Sequence, residues 1–197
     1  IMSSYKPLVV SAHNGHRLKN DDGETGVEIA YRMITAGEDV LDATTACTNL
    51  PELSTVDTSV GYGGLPDANG DVTLDACCMH GPRRKAGGVA YIQGVKAPSM
   101  VALDVMNKTN HHLLAGQGAT DFARENGHKI EGDLNSEVSF KRYLDWKARI
   151  EREGDNRTFA ELDLDFIEKK VASLTKFHDK IVNAEVFLKL ENSSDKE

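Results

Sequence analysis

The reading of this chain turns on Ser59–Gly81, SVGYGGLPDANGDVTLDACCMHG. Its first half carries Gly61, Gly63, Gly64 and Gly70. Glycine at that density marks backbone at positive φ, or backbone approached closely by a neighbour. Its second half, Val72 to Met79, is apolar and β-branched, which predicts a core strand with both faces buried. Asp67 to Gly70 joins the halves with turn chemistry, since Asn-Gly supplies residues that tolerate positive φ. A glycine loop therefore passes through a tight turn into a strand. Spacing alone favours a plain hairpin over the backbone-lined wall of a small-molecule site.

Upstream, Pro7 to Ser11 is a short apolar run and predicts a first strand, ended by the turn residues His13, Asn14 and Gly15. Val27, Ala30, Tyr31 and Ile34 recur at helical spacing from Glu24, with Gly37 placed to end that helix. A second helix is expected from Asp39 to near Pro51, with Val40, Ala43, Thr44 and Cys47 on one face. Downstream, Ala86 to Ile92 predicts a strand paired with the preceding one through His80–Lys85. Pro98 suits the first turn of a helix. His112 to Ala115 reads as a short strand, Gly116 to Asn126 as a helix, and Val138 to Ile150 as an amphipathic helix carrying Trp146. Glu151 to Arg157 is charged and glycine-containing, a boundary composition. After it, Leu164, Ile167, Val171, Leu174 and Phe177 form a helical stripe, and Ile181 to Leu190 alternates like a strand.

Length and charge bound the function. The 197 residues suffice for one domain with a sizeable core, and the net charge of −8 opposes general binding to nucleic acid or anionic membrane. No apolar run reaches membrane-spanning length, so no membrane partner is expected. No leader pattern follows Ile1, which points to the cytoplasm, although Met2 after Ile1 leaves the true start open. Cys47, Cys77 and Cys78 are odd in number and two are adjacent, which predicts reduced, buried thiols rather than disulfides or a zinc site. No metal or cofactor is expected. His111 and His112 are neighbours and would point apart on a strand. Ser59, His80 and Asp75 could be drawn as a triad, but no GxSxG elbow supports it. Gly61 to Gly64 lacks the Gly-Lys-Ser/Thr step of a phosphate loop.

Ordered blocks carry more than spacing does. Leu41–Ala43, Ser59–Pro66 and Thr73–Ala76 closely resemble the α-chain region of the glycosylasparaginase family, which includes isoaspartyl peptidases and plant-type asparaginases. The likeness continues through Ala86–Ala90, Val105–Thr109, His112–Ala119 and Phe122–Gly127, covering about residues 6–150. The resemblance implies an α/β (α+β) fold: the first half of an N-terminal-nucleophile hydrolase αββα four-layer sandwich, followed by a C-terminal helix–strand segment. It implies autoproteolysis that frees a threonine at the start of a β-chain. The threonine hydroxyl attacks a side-chain amide and its own α-amine serves as base. The expected substrate is a small amide: N4-glycosylated asparagine, asparagine or a β-aspartyl peptide. The expected partner is the β-chain of the same precursor, in an (αβ)2 assembly.

Carried over residue by residue, the substrate-binding candidates are His13, Asn14, Ser59 and Gly61. His13-Asn14-Gly15 stands where family members carry Trp-Asn-Phe, so Asn14 is kept and both aromatics are not; that departure argues against a glycan-linked substrate. Ser59 matches a serine near the nucleophile. At His178-Asp179-Lys180-Ile181 a lysine stands where the resemblance asks for threonine, so the chain as given is expected to be inactive. The sequence divides into an asparaginase-like region, 1–158, and a tail, 159–197. The tail resembles a fragment of the ribosome hibernation promoting factor family, although six Lys/Arg against eight Asp/Glu from Leu162 to Glu197 is not a basic balance. The expectations that follow are a fusion joined near Phe159 to Asp163, a ribosome-associated module in the tail, or a non-catalytic partner chain.

Overall fold

The computed structural model describes residues 6–154. The chain divides into two compact units, Ile1–Ala148 and Arg149–Glu197, and the core and site described below belong to the first. The tail's expected helix and strand, and His178 to Ile181, lie outside the described residues.

The first helix, α1 (Gly26–Thr35), is set by a capping box. Thr25 Oγ1 accepts the Glu28 N–H at 3.3 Å, and the Glu28 carboxylate accepts the Thr25 N–H at 2.8 Å. The helix ends before Gly37, whose φ of 88° lies in the left-handed region. Helix α2 (Val40–Glu52) starts from Asp39, whose carboxylate accepts the Leu41 N–H at 2.8 Å. Small side chains let the two helices approach: Ala30, Ala43 and Cys47 form their shared core. The buried faces are displaced by about one residue from the expected stripes. Tyr31, Val40 and Thr44 are exposed, while Met33 is half-buried and Leu41 and Thr45 are buried.

The tight turn is Asp67–Gly70, closed by Gly70 N–H donating to the Asp67 carbonyl at 3.1 Å. Strands β1 (Thr73–His80) and β2 (Lys85–Gln93) then pair antiparallel through the expected basic connection. A two-residue β3 (Leu114–Ala115) adds to β2 in parallel, giving the order β1-β2-β3. Helix α3 (Pro98–Lys108) has Pro98 in its first turn, and α4 (Gly116–Glu125) ends at Asn126 before Gly127, both as expected. Helix α5 (Glu137–Glu153) carries Trp146. Helices α3 and α4 pack on the sheet through Val101, Val105, Ala119 and Ala123 against Leu74, Val89 and Ile92. Burying each large aliphatic side chain stabilises by about 1.5–3 kcal/mol.

Two expectations need correction. Among the described residues Pro7 to Ser11 has no ladder partner and forms no strand; Leu8 and Val10 are 80% and 83% exposed. Strand β1 is not buried on both faces: Asp75, Cys77 and Met79 are exposed because, among the described residues, no layer covers that side. Consequently Cys77 is an exposed thiol, Cys78 half-buried and Cys47 buried, all free. The architecture is mixed α/β, consistent with part of the expected sandwich.

Helix α3 sits so close to the sheet that a Cβ on Gly87 would lie 2.3 Å from the Ala102 carbonyl oxygen. Gly87→Ala should cost about 2–3 kcal/mol, as overpacking does. Gly81→Ala, where no atom lies within 4 Å of the added carbon, should stay within about 0.5 kcal/mol. Urea denaturation midpoints of both variants measure this; equal midpoints would refute the close approach.

Candidate active site

The glycine loop between α2 and β1 is held from below by a buried carboxyl group. Glu52, the last residue of α2, is 3% exposed. Its carboxylate accepts the Ser99 N–H at 3.0 Å, the Ser99 hydroxyl at 2.6 Å and the Asn49 side-chain amide at 2.8 Å. Ser99 lies in the first turn of α3, where no side chain caps the helix from its own N-cap position. Glu52 thus supplies from another helix the hydrogen-bond acceptors that the first turn of α3 lacks. Burial raises its pKa, and the bonds from Ser99 and Asn49 offset this only in part. The main chain of Glu52 also fixes the loop: its carbonyl accepts the Tyr62 N–H at 2.7 Å. Gly61, at φ 60°, turns so tightly against it that a Cβ would lie 2.1 Å from that carbonyl oxygen. Gly61 is therefore glycine for two reasons, backbone conformation and lack of space.

The loop's entrance is organised by Asp57, also buried. Its Oδ1 accepts the Ser59 N–H at 2.9 Å and, in a short bond, the Ser59 hydroxyl. Oδ2 pairs with Arg17 Nη2 at 3.3 Å, and Asn14 adds a smaller stabilisation of the charged carboxylate. Burial opposes ionisation of Asp57, but the Ser59 hydroxyl and amide, then Arg17 and Asn14, hold its pKa below the ordinary aspartate value. Because the Ser59 hydroxyl gives its proton to Asp57, its oxygen lone pairs remain as acceptors.

Two cavities meet at this cluster. The larger, about 720 Å³, is lined by the Val9–Ala12 segment, by Asn14, Ser59 and Gly61, by α2 with Glu52, and by β1. The smaller, about 440 Å³, shares Ala12, Asn14 and Ser59 with it and adds His13, Arg17, Asp57, Thr58 and Arg142. Of the sequence-predicted site residues, Asn14, Ser59 and Gly61 line the larger cavity. His13 lies in a 3-10 turn, His13–His16, edge-on to His16 at 5.2 Å, and lines only the smaller one.

The paper triad is taken apart. Ser59 is bound to Asp57, Asp75 accepts the Tyr91 N–H at 2.7 Å, and buried His80 meets Asp39 through Nε2 at 3.0 Å. His80 Nδ1 accepts the Arg83 N–H at 3.0 Å, so its role is to tie the β1–β2 connection to the start of α2. His111 and His112 are exposed. Among the described residues no three His, Cys, Asp or Glu side chains converge as a metal site, and no helix is long and apolar enough to cross a membrane. Sequence reasoning missed Asp57 and Glu52. Asp57-x-Ser59 carries a readable signal, because aspartate commonly accepts the N–H two residues on. Glu52 carries none, since its partner Ser99 is 47 residues away.

Comparison with known proteins bears on this arrangement. The sequence profile described as "Asparaginase" matches residues 12–176, past the break expected near residues 159–163. The chain is 39% identical over 141 residues to the N(4)-(beta-N-acetylglucosaminyl)-L-asparaginase of Elizabethkingia miricola, covering 72% of this chain and 39% of that protein. It is 36% identical over 147 residues to the Mus musculus protein of the same name, covering 75% and 40%. A probable isoaspartyl peptidase/L-asparaginase 3 of Arabidopsis thaliana is 38% identical over 122 residues, covering 61% and 34%. The chain thus spans at most 40% of the length of these three relatives. The comparisons lend no support to the ribosome-factor resemblance of the tail.

The two buried carboxyls should titrate in opposite directions. Glu52, with its pKa raised in the fold, contributes stability that is full below about pH 4.3 and is lost as pH rises through the folded value. The stability of the wild type relative to Glu52→Gln should therefore fall as pH rises from about 4.3 towards 8. Asp57, with its pKa lowered, contributes stability above about pH 3.9 that is lost on acidification. Asp57→Asn should cost about 1–3 kcal/mol at pH 7 and less at pH 3. Denaturation curves across this range check both signs; parallel curves for wild type and variants would contradict them.

Proposed function

The chain belongs to the asparaginase family of amidohydrolases, and from that premise we propose that it supplies one wall of an amide-hydrolysing site whose nucleophile is a threonine contributed by the remainder of the sandwich. The observation that carries this reading is the Asp57–Ser59–Asn14 cluster at the meeting of the two cavities.

In the reaction a threonine hydroxyl attacks the carbonyl carbon of an aspartyl side-chain amide and its proton passes to the threonine's own α-amine. The α-amine passes that proton to the amide nitrogen, which leaves as ammonia or an amine as the C–N bond breaks, and water hydrolyses the resulting ester to release aspartate and restore the threonine hydroxyl. The chain's residues position these events. Ser59 is locked as an acceptor by Asp57, so its oxygen suits an N–H of the threonine amine or of the substrate. Asn14 lines both cavities and can bind the aspartyl portion. Gly61 lets the loop backbone come close to a ligand without a side chain intervening. Lys180 stands where the resemblance asks for threonine, so the 197 residues by themselves do not turn over substrate. Strand β1, at the edge of its sheet with one face bare, offers a strand of the β-chain a place to pair.

Purified alone, the chain should leave aspartyl β-amides intact and should bind a hydrophobic dye through Leu8, Val10 and Met79, which are 74% or more exposed like Val56. Joined with a segment that begins in threonine, it should release ammonia or amine from these amides. Ser59→Ala should then lower kcat/KM by about tenfold or more. Turnover by the isolated chain, abolished by one substitution within it, would contradict the proposal.

A further inference from the structure

The wall around Ser59 is held from the start of α5 as well as from α2. Ser136 and Ser139 cap one another there: Ser136 Oγ accepts the Ser139 N–H at 3.1 Å, and Ser139 Oγ accepts the Ser136 N–H at 2.9 Å. Ser139 is fully buried, which anchors the first turn of α5. From this anchor residues 134–143 meet the glycine loop through four hydrogen bonds among the described residues. The Leu134 carbonyl accepts the Gly63 N–H at 2.8 Å. Asn135 Nδ2 donates to the Gly70 carbonyl at 2.9 Å, and the Tyr143 hydroxyl donates to the Ala68 carbonyl at 3.3 Å. Arg142 Nη1 donates to the Thr58 hydroxyl at 2.6 Å. The first three hold loop backbone at Gly63 and beyond; the fourth acts on the residue next to Ser59. Thr58 is buried and is the middle residue of the Asp57–Ser59 turn. Asp57 reaches both the amide and the hydroxyl of Ser59 only while the residue between them keeps its conformation. A charged donor on a buried hydroxyl is among the stronger hydrogen bonds, so it can hold that conformation.

We propose that Arg142 is a positioning residue for the reaction: by holding the Thr58 hydroxyl it keeps Ser59 bonded to Asp57, and so keeps the Ser59 oxygen available as an acceptor. This rests on the amidohydrolase reading above and adds a residue that acts on the site through another. Arg142 stands 84 positions from Thr58, so no local pattern announces the contact. Its role differs from that of Arg17, which meets the Asp57 carboxylate itself. Arg142 touches neither Asp57 nor Ser59 by any hydrogen bond or ion pair of the described residues; its effect passes through the Thr58 hydroxyl.

The test uses the chain joined with a segment that begins in threonine, and reads two quantities: amide hydrogen exchange at Ser59, and kcat and KM on an aspartyl β-amide. Thr58→Val keeps the side-chain shape and removes the acceptor, Thr58→Ser keeps the acceptor, and Arg142→Gln removes the charged donor from an exposed residue. In Thr58→Val and in Arg142→Gln the Ser59 amide should exchange about tenfold faster, the weight of one hydrogen bond to a charged group, while the core amides of Val89 and Val105 keep their rates. In both, kcat should fall about tenfold with KM within about twofold, since the loss falls on the orientation of one acceptor. Thr58→Ser should retain wild-type behaviour, and the double variant Arg142→Gln with Thr58→Val should be no worse than either single one. An unchanged Ser59 rate in both single variants overturns the proposal. So does an equal acceleration at Ser59, Val89 and Val105, because the bond would then support the fold in general. A Thr58→Ser variant as impaired as Thr58→Val also overturns it, by assigning the effect to the methyl group. Should the unsubstituted protein hydrolyse no amide, the amidohydrolase reading falls, and the exchange rates alone uphold or overturn the positioning of Ser59.

Discussion

The buried carboxyl of Glu52 is the contact on which the rest of this structure depends. One residue joins three parts of the chain that are distant in sequence. Its side chain caps the first turn of α3, its position ends α2, and its carbonyl holds the glycine loop at Tyr62. A carboxyl group removed from water is costly unless its oxygens are bonded. Here three donors converge on them, and the environment still disfavours the charge. The loop therefore has a defined height above the end of α2, and Gly61 has no freedom to leave it. Asp57 repeats the arrangement one step further along. It is buried, bonded by the amide and hydroxyl of Ser59, and set against Arg17. The first carboxyl group fixes the backbone of the wall; the second orients a hydroxyl on it.

Most of the local structure is legible in the sequence, for physical reasons that particular residues show. Pro98 and Gly127 mark helix ends because one lacks an N–H and the other accepts positive φ, and both stand where expected. The β1–β2 pairing is adjacent in sequence and needs only a turn. Expectation and structure part where a segment's state depends on something distant. Pro7 to Ser11 has strand composition but, among the described residues, no neighbour to pair with, and composition cannot reveal that. Val72 to Met79 has an apolar pattern suited to burial on two faces, yet one face is covered by α3 and the other is bare. Both segments line the larger cavity. Both describe a chain patterned for contacts that its described residues do not make.

The candidate site was legible in part. Asn14, Ser59 and Gly61 come together at one cavity, which the resemblance implied and spacing did not. His13 lines only the neighbouring cavity, while Asn14 beside it in the 3-10 turn lines both. The residues that orient these groups, Asp57 and Glu52, belong to no motif. They are ordinary acidic residues whose significance comes from burial, and burial is a property of the fold. The arginines of the smaller cavity are hidden for the same reason, being 125 positions apart in a chain that is acidic overall.

The central claim is that the wall formed by Asn14, Ser59 and Gly61 faces the aspartyl portion of the substrate. It is tested most directly by backbone amide chemical shifts recorded while L-aspartate, the expected product, is titrated into the chain joined with a segment that begins in threonine. The account predicts saturable shifts at Asn14, Ser59 and Gly61, with Gly87 and Gly127 unmoved. Saturable shifts elsewhere in the molecule, with these three unchanged, would contradict it.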